Sequence, residues 1–174
     1  MKKVIISIGM PGSGKTRTLK KFAKKYGYGY ISPDDIRIEI LRNVADQSRN
    51  EEIANEVRKR AKKLLDAGKT VVVDAVFSNA DGRKEFLDFA KKSGAQEVQG
   101  VMFDVPVEIA KKRNIRRKDH RVPEPTIEKI AEELESSRPK IGEGFDGIFT
   151  LNEYGNLIEA EITRGKVLAK RGLK

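Results

Sequence analysis

The sequence predicts an α/β fold, a parallel sheet of four or five strands flanked by helices. Two observations carry that expectation. Strand-like and helix-like apolar blocks alternate along most of the 174 residues, the pattern of a parallel sheet covered by helices. The first block, Val4 to Ile8, is a β-branched run of the kind buried on both faces, and it leads directly into Gly9-Met10-Pro11-Gly12-Ser13-Gly14-Lys15-Thr16. The length suits one α/β domain with a full core and is too short for two, so 1–174 reads as a single domain.

The elements follow in order. Leu19, Phe22, Ala23 and Tyr26 recur at helical spacing, and Gly27 and Gly29 end that helix. Tyr28 to Ile31 is a short second strand. Ile53, Ala54, Val57, Ala61, Leu64 and Leu65 mark an amphipathic helix that stops at Gly68. Val71 to Val73 is the third strand, closed by Asp74, and Phe86, Leu87, Phe89 and Ala90 lie on the next helix. Val98, Val101, Phe103 and Val105 trace a fourth strand, with Pro106 where a helix can begin. Ile127, Ile130, Ala131 and Leu134 give a helix after Pro123 and Pro125. Gly147 to Leu151 and Leu157 to Ile162 read as two strands around a turn at Gly155-Asn156. This hairpin and a basic tail occupy 147–174.

Composition narrows the function classes. The chain has no Cys and one His, His120, so a disulfide framework is excluded and a zinc enzyme disfavoured. Its formal charge is +10 and its pI about 9.7, which favours a polyanionic partner without requiring one. No apolar run approaches the roughly 18 residues of a membrane span. The segment after Met1-Lys2-Lys3 is a buried strand, not a signal sequence, because it lacks a cleavage-like site. These features point to a cytoplasmic protein that does not engage a membrane.

Residues 9–16 fit G-x-x-x-x-G-K-[ST] at every position, between a predicted strand and a predicted helix. Gly9, Gly12 and Gly14 let backbone N–H groups, including that of Ser13, curl around phosphate oxygens, and the helix N-terminus adds partial positive charge. Lys15 is placed to reach the β- and γ-phosphates of a nucleoside triphosphate, and Thr16 to offer its hydroxyl to Mg²⁺. ATP and Mg²⁺ are the expected ligands.

Ser32-Pro33-Asp34-Asp35-Ile36-Arg37 opens a second helix. Ser32 is the expected N-cap and Asp35 the carboxylate that bonds back to it. That leaves Asp34, which shares a helix face with Arg37 at i, i+3. The pair suits a base and an anion clamp, and equally a surface ion pair. Asp74, at a strand tip, suits either a water-mediated hold on Mg²⁺ or an N-cap. Ser78, Asn79 and Arg83 follow it as further candidates for the cleft. The run from Lys111 to Arg121 is rich in Lys and Arg. It reads as a solvated face, a nucleic-acid patch, or a lid over about 111–125 whose arginines reach a transferring phosphate. Within it Arg113 and Arg117 project from one side, and His120 is a surface residue.

In this order the motifs resemble the 5′-kinase domain of the bacteriophage polynucleotide kinase-phosphatase family, within the P-loop kinase superfamily. The similarity runs from Met1 through the phosphate loop to Asp34-Asp35-x-Arg37. It resumes at Phe103-Asp104-Val105-Pro106 and Lys112-Arg113-Asn114, reaching Arg117. Arg138-Pro139 and Glu143-Gly144-Phe145-Asp146 look like the closing motif of related end-healing kinases. The resemblance implies a P-loop fold with an arginine-bearing lid and transfer of the ATP γ-phosphoryl group to a 5′-OH of DNA or RNA. It assigns Asp34 as general base and Arg37 to the acceptor strand. Arg113 and Arg117 fall to the ATP phosphates, beside the loop residues, with Lys15 and Arg117 catalytic. It also implies a phage, bacterial or archaeal cytoplasmic setting. The segment from Ala45 to Gly68 does not match, and the 174 residues hold no Asp-x-Asp-Gly-Thr block of a 3′-phosphatase half. The competing readings are a small-molecule or nucleotide kinase, zeta-type toxins included, and a non-catalytic ATP-dependent nucleic-acid-binding module.

Overall fold

In the computed structural model, which describes residues 1–118 and 120–163, a central sheet is sandwiched between helices. Asp119 of the basic run and the basic tail from 164 onward lie outside the described residues. Strands β1 (Lys3–Ile8), β2 (Gly29–Ile31), β3 (Val71–Val73), β4 (Glu97–Phe103), β5 (Gly147–Leu151) and β6 (Leu157–Ile162) form one sheet in the order β2-β3-β1-β4-β5-β6. The first five are parallel and β6 is antiparallel to β5. The five parallel strands meet the expectation of four or five, and the second strand of the expected C-terminal hairpin adds an antiparallel edge as the sixth. A tight turn at Gly155, φ +82°, lets β6 fold back on β5, whereas each parallel connection needs a helical crossover.

The helices are α1 (Lys15–Tyr26), α2 (Pro33–Leu41), α3 (Asn50–Asp66), α4 (Ala80–Lys92), α5 (Val107–Ile115) and α6 (Glu124–Ser136). Alternation along β1 divides the core. Val4, Ile6 and Ile8 pack with Ile53, Val57 and Leu65 of α3, Leu87 of α4 and Ile127 of α6. Ile5 faces the other way, onto Leu19 and Ala23 of α1. Each fully buried Ile or Leu side chain contributes about 1.5–3 kcal/mol relative to exposure. These two layers fix β1, and with it the loop at its carboxyl end. β1 lies between β3 and β4 where the connections diverge, the place where open α/β sheets bind ligands.

Candidate active site

Residues 9–14 join β1 to α1 and bend around the first turn of the helix. Gly12 sits at φ +83°, and a Cβ there would come within 2.2 Å of the Ala110 carbonyl oxygen. The glycine thus permits both the turn and the close seating of α5 against the loop. Lys15 Nζ donates to the carbonyls of Gly9 and Met10, each at 2.8 Å. The side chain is buried, and the loss of hydration lowers its pKa to about 8. The carboxylates of Asp74 and Asp34 oppose that shift, and the Arg117 guanidinium adds to it. Asp34, Asp74 and Arg117 therefore all lie within electrostatic reach of this ammonium. Ser13 Oγ is buried and has no hydrogen-bond partner among the described residues.

Asp74 is 5% exposed and accepts from two hydroxyls, Thr16 Oγ1 and Tyr30 Oη, both at 2.6 Å from its Oδ2. Ser7 Oγ lies 3.3 Å from Oδ1, while its hydroxyl makes the shorter bond to the Ala75 carbonyl at 2.7 Å. Burial and the Asp74 carboxylate raise the Tyr30 phenol well above its usual value, so it remains a donor. The N-cap of α4 is Asn79, whose side chain accepts from the Gly82 N–H, so the capping alternative for Asp74 is set aside. The sequence reading did not single out Tyr30 or Ser7. A serine within an otherwise apolar strand was the available signal, since a fully buried hydroxyl requires a partner.

The acceptor candidates lie across the loop on α2. Ser32 caps this helix by accepting from the Asp35 N–H, at a long 3.5 Å, and Pro33 is its first residue. The reciprocal half of the expected capping box does not form. The Asp35 carboxylate turns to Lys20 of α1 instead, 3.1 Å away, because an ammonium offers it more than one further backbone donor. Asp34 pairs with Arg37 at 2.8 Å, and Arg37 also donates to Asn50 Oδ1 at 2.9 Å. Arg37 Nε is buried with no hydrogen-bond partner among the described residues. The pair is asymmetric: the Asp34 side chain is 52% exposed and that of Arg37 only 13%.

On the lid side, Arg113 reaches back from the last turn of α5. Its Nη2 donates to the Glu153 carbonyl at 2.7 Å, and its Nη1 lies 3.5 Å from the Ser13 carbonyl. Asn114, also not singled out, is buried and bonds both the N–H and the carbonyl of Val122, so it pins the segment between α5 and α6. The run is only partly free. Lys111 is held by Glu124 at 2.8 Å and Glu128 at 2.6 Å. Of the span expected as a lid, 111–115 is already helix α5 and 124–125 already helix α6. His120 is half-buried.

Three further candidates fall outside the cleft. Arg83 is fully buried and forked onto Glu143 at 2.7 and 2.9 Å, while also bonding the carbonyls of Phe77, Ser78 and Ser137. Ser78 donates to Glu133, and Asn79 is the cap already described. The Arg138 and Glu143–Asp146 blocks are structural clasps. Arg138 pairs with Asp104, Phe145 is core, and Asp146 accepts from the Val98 N–H. A cleft of ≈ 980 Å³ between β4, α5 and α6, with Met10 of the phosphate loop in its wall, is lined by more carboxylates, Asp104, Glu108, Glu128, Glu132 and Glu135 among them, than cations, Lys111 and Arg138.

Among the described residues no cluster of three or more His, Cys, Asp or Glu side chains is placed to hold a metal. The Thr16–Asp74 pair nevertheless fits Mg²⁺, which keeps several waters and takes few protein ligands alongside substrate phosphates.

Comparison with known proteins bears on the family and the fold. A family model described as an AAA domain matches residues 4–137. A mimivirus protein (Acanthamoeba polyphaga mimivirus) under the name of bifunctional polynucleotide phosphatase/kinase is 26% identical over 157 residues, which are 88% of this chain and 34% of that protein. An adenylate kinase of Thermotoga neapolitana is 28% identical over 128 residues, 66% of this chain and 58% of that one. Among solved structures, a chain of the Pnkp1/Rnl/Hen1 RNA repair complex aligns with a TM-score of 0.72 at 24% identity, over 79% of this chain and 45% of that one. The chain thus spans only part of each of these relatives. The resemblance read from the motifs is borne out, as is the α/β fold.

Proposed function

The chain belongs to the AAA domain family, and from that premise we propose that it is a kinase transferring the γ-phosphoryl group of ATP to the 5′-hydroxyl end of DNA or RNA. The observation that carries the reading is the Asp34–Arg37 pair on α2, with Asp34 close enough to bias the phosphate-loop lysine electrostatically. A capped helix end would need neither residue, and an exposed ion pair there contributes at most about 1 kcal/mol. In the proposed reaction Asp34 takes the proton of the attacking hydroxyl. The oxygen of that 5′-hydroxyl bonds to the γ-phosphorus, the bond from that phosphorus to the β,γ-bridging oxygen breaks, and ADP leaves. Arg37 holds an acceptor phosphate once its bond to Asp34 is exchanged for one to the substrate. Lys15, Arg113 and Arg117 face the charge on the transferring group, where lid arginines are worth about 10³–10⁵ in rate. Mg²⁺, held by Thr16 and through water by Asp74, would neutralise the β- and γ-oxygens.

A second reading is favoured by one finding, the similarity to an adenylate kinase. A nucleotide kinase would use the same loop and lid arginines with a mononucleotide acceptor. Transfer from labelled ATP across 5′-OH oligonucleotides, mononucleotides and common metabolites separates the two. The polynucleotide reading expects the oligonucleotides to be labelled fastest. Labelling of nucleoside monophosphates alone would replace it with the second.

A further inference from the structure

Helical periodicity places Phe22 and Tyr26 with Leu19 and Ala23 on the buried side of α1, and the structure leaves both outside. Phe22 is 36% exposed and Tyr26 50%. With Tyr28 they form a cluster of three rings. Their centroids lie 4.9 Å apart for Phe22–Tyr26, 5.7 Å for Phe22–Tyr28 and 5.6 Å for the stacked pair Tyr26–Tyr28. The same helix has no Asp or Glu between Lys15 and Tyr26, and Arg17, Lys20, Lys21, Lys24 and Lys25 are all exposed. Of these only Lys20 has a carboxylate partner among the described residues. Helices α3 and α4 pair cations with acids: Arg60 with Glu39 and Glu56, Lys62 with Asp66, and Lys84 with Asp88. A surface tuned for solubility alone intersperses the two signs, and α1 does not.

The stripe has a direction. Arg17, Lys20, Lys21 and Lys24 recur at helical spacing on the outer face, and Lys25 Nζ sits 5.3 Å from the Tyr26 ring centroid. At its upper end Lys20 touches both Asp35, the neighbour of Asp34, and the Tyr30 ring at 5.3 Å. The helix rises about 1.5 Å per residue, so Lys20 and Tyr26 stand roughly 9 Å apart along it. Cations beside exposed rings are how proteins hold single strands, whose unstacked bases present a π-face that a duplex conceals.

We propose that the outer face of α1 and the Phe22–Tyr26–Tyr28 cluster bind the single-stranded nucleic acid behind the acceptor end, lysines on its phosphates and rings on its bases. The proposal rests on the polynucleotide reading above and adds to it the path of the strand.

The test measures binding of a 3′-fluorescein-labelled, 5′-OH twelve-nucleotide oligothymidylate by anisotropy, alongside phosphorylation of a 5′-OH dinucleotide. Tyr26→Ala should weaken the twelve-mer by roughly 5-fold or more, and Tyr26→Phe should restore it. A Lys21→Gln, Lys24→Gln double variant, which leaves the rings alone, should weaken binding and flatten the slope of log K against log salt by about 0.7 per lost phosphate contact. The dinucleotide rate should not change in any of them. Unaltered twelve-mer affinity in both Tyr26→Ala and the lysine variant would overturn the proposal. The two readings fail separately. A wild type that phosphorylates oligonucleotides while these variants keep wild-type affinity refutes the track alone. A wild type that binds through Tyr26 but labels no 5′-OH end refutes the kinase assignment and leaves the track standing.

Discussion

The nucleotide side and the acceptor side of the candidate site are built differently. On the nucleotide side the two central charged groups are buried and each is held from more than one direction. Lys15 donates to two carbonyls, Asp74 accepts from the Thr16 and Tyr30 hydroxyls, and Gly12 admits α5 against the loop. On the acceptor side the nine-residue helix α2 carries Asp34, half-exposed and paired with Arg37. Donors fixed in advance cost no reorganisation when charge develops, whereas an exposed pair can exchange partners. The contrast suits a rigid triphosphate cradle facing an acceptor site that rearranges when substrate arrives.

Substitutions probe the two sides in turn. The largest effect is expected at Asp34. Asp34→Asn should lower kcat by on the order of 10²–10⁴ and leave ATP affinity unchanged, which steady-state kinetics and ATP titration check together. Lys15→Ala should lower kcat by at least about 10²–10³ with every acceptor and weaken ATP as well, with an intact circular-dichroism spectrum. A near-wild-type rate would remove the phosphate-loop assignment. Behind the nucleotide side, Arg83→Ala should cost about 3–5 kcal/mol in urea unfolding, because it leaves Glu143 without its buried partner.

A smaller effect follows from the depressed Lys15 pKa. Phosphate binding needs the ammonium, so ATP affinity should weaken as pH rises through about 8. Calorimetry at pH 8 in buffers of different ionisation enthalpy should show proton uptake on ATP binding. The stability contribution has the opposite slope. The unfolded lysine titrates near 10.4, so burial penalises the folded state below about 8, and that penalty disappears as pH rises toward 10.4. Least of all, Asp35→Asn should change stability by under about 1 kcal/mol, since its exposed pair with Lys20 is screened. A rate loss at Asp35 larger than at Asp34 would reverse the assignment of the two.

What the sequence disclosed divides along the same line. The phosphate loop was legible because its chemistry is local: glycines, lysine and threonine at fixed spacing between a strand and a helix. The strands were legible because β-branched runs buried on both faces carry their own signal. Asp74 was visible as a strand-end acid, but its partners Tyr30 and Ser7 belong to other strands, and only the order β2-β3-β1 brings them to it. Phe22 and Tyr26 fit the helical period yet lie outside the core, because period alone does not say how wide a stripe the sheet can cover. Arg83 looked like a cleft residue and proved an internal clasp, since its partner Glu143 lies 60 residues away.

The assignment of a polynucleotide acceptor is tested most directly by acceptor Kd against KCl for a 5′-OH mononucleotide and an eight-mer, with wild type and Arg37→Ala. Each neutralised phosphate should contribute roughly −0.7 to the slope of log K against log salt, so two or three contacts give about −1.5 to −2. The account predicts tighter binding and a steeper slope for the eight-mer, with Arg37→Ala weakening it and removing about one contact's worth of slope. Equal affinities with parallel slopes for the two acceptors would contradict it.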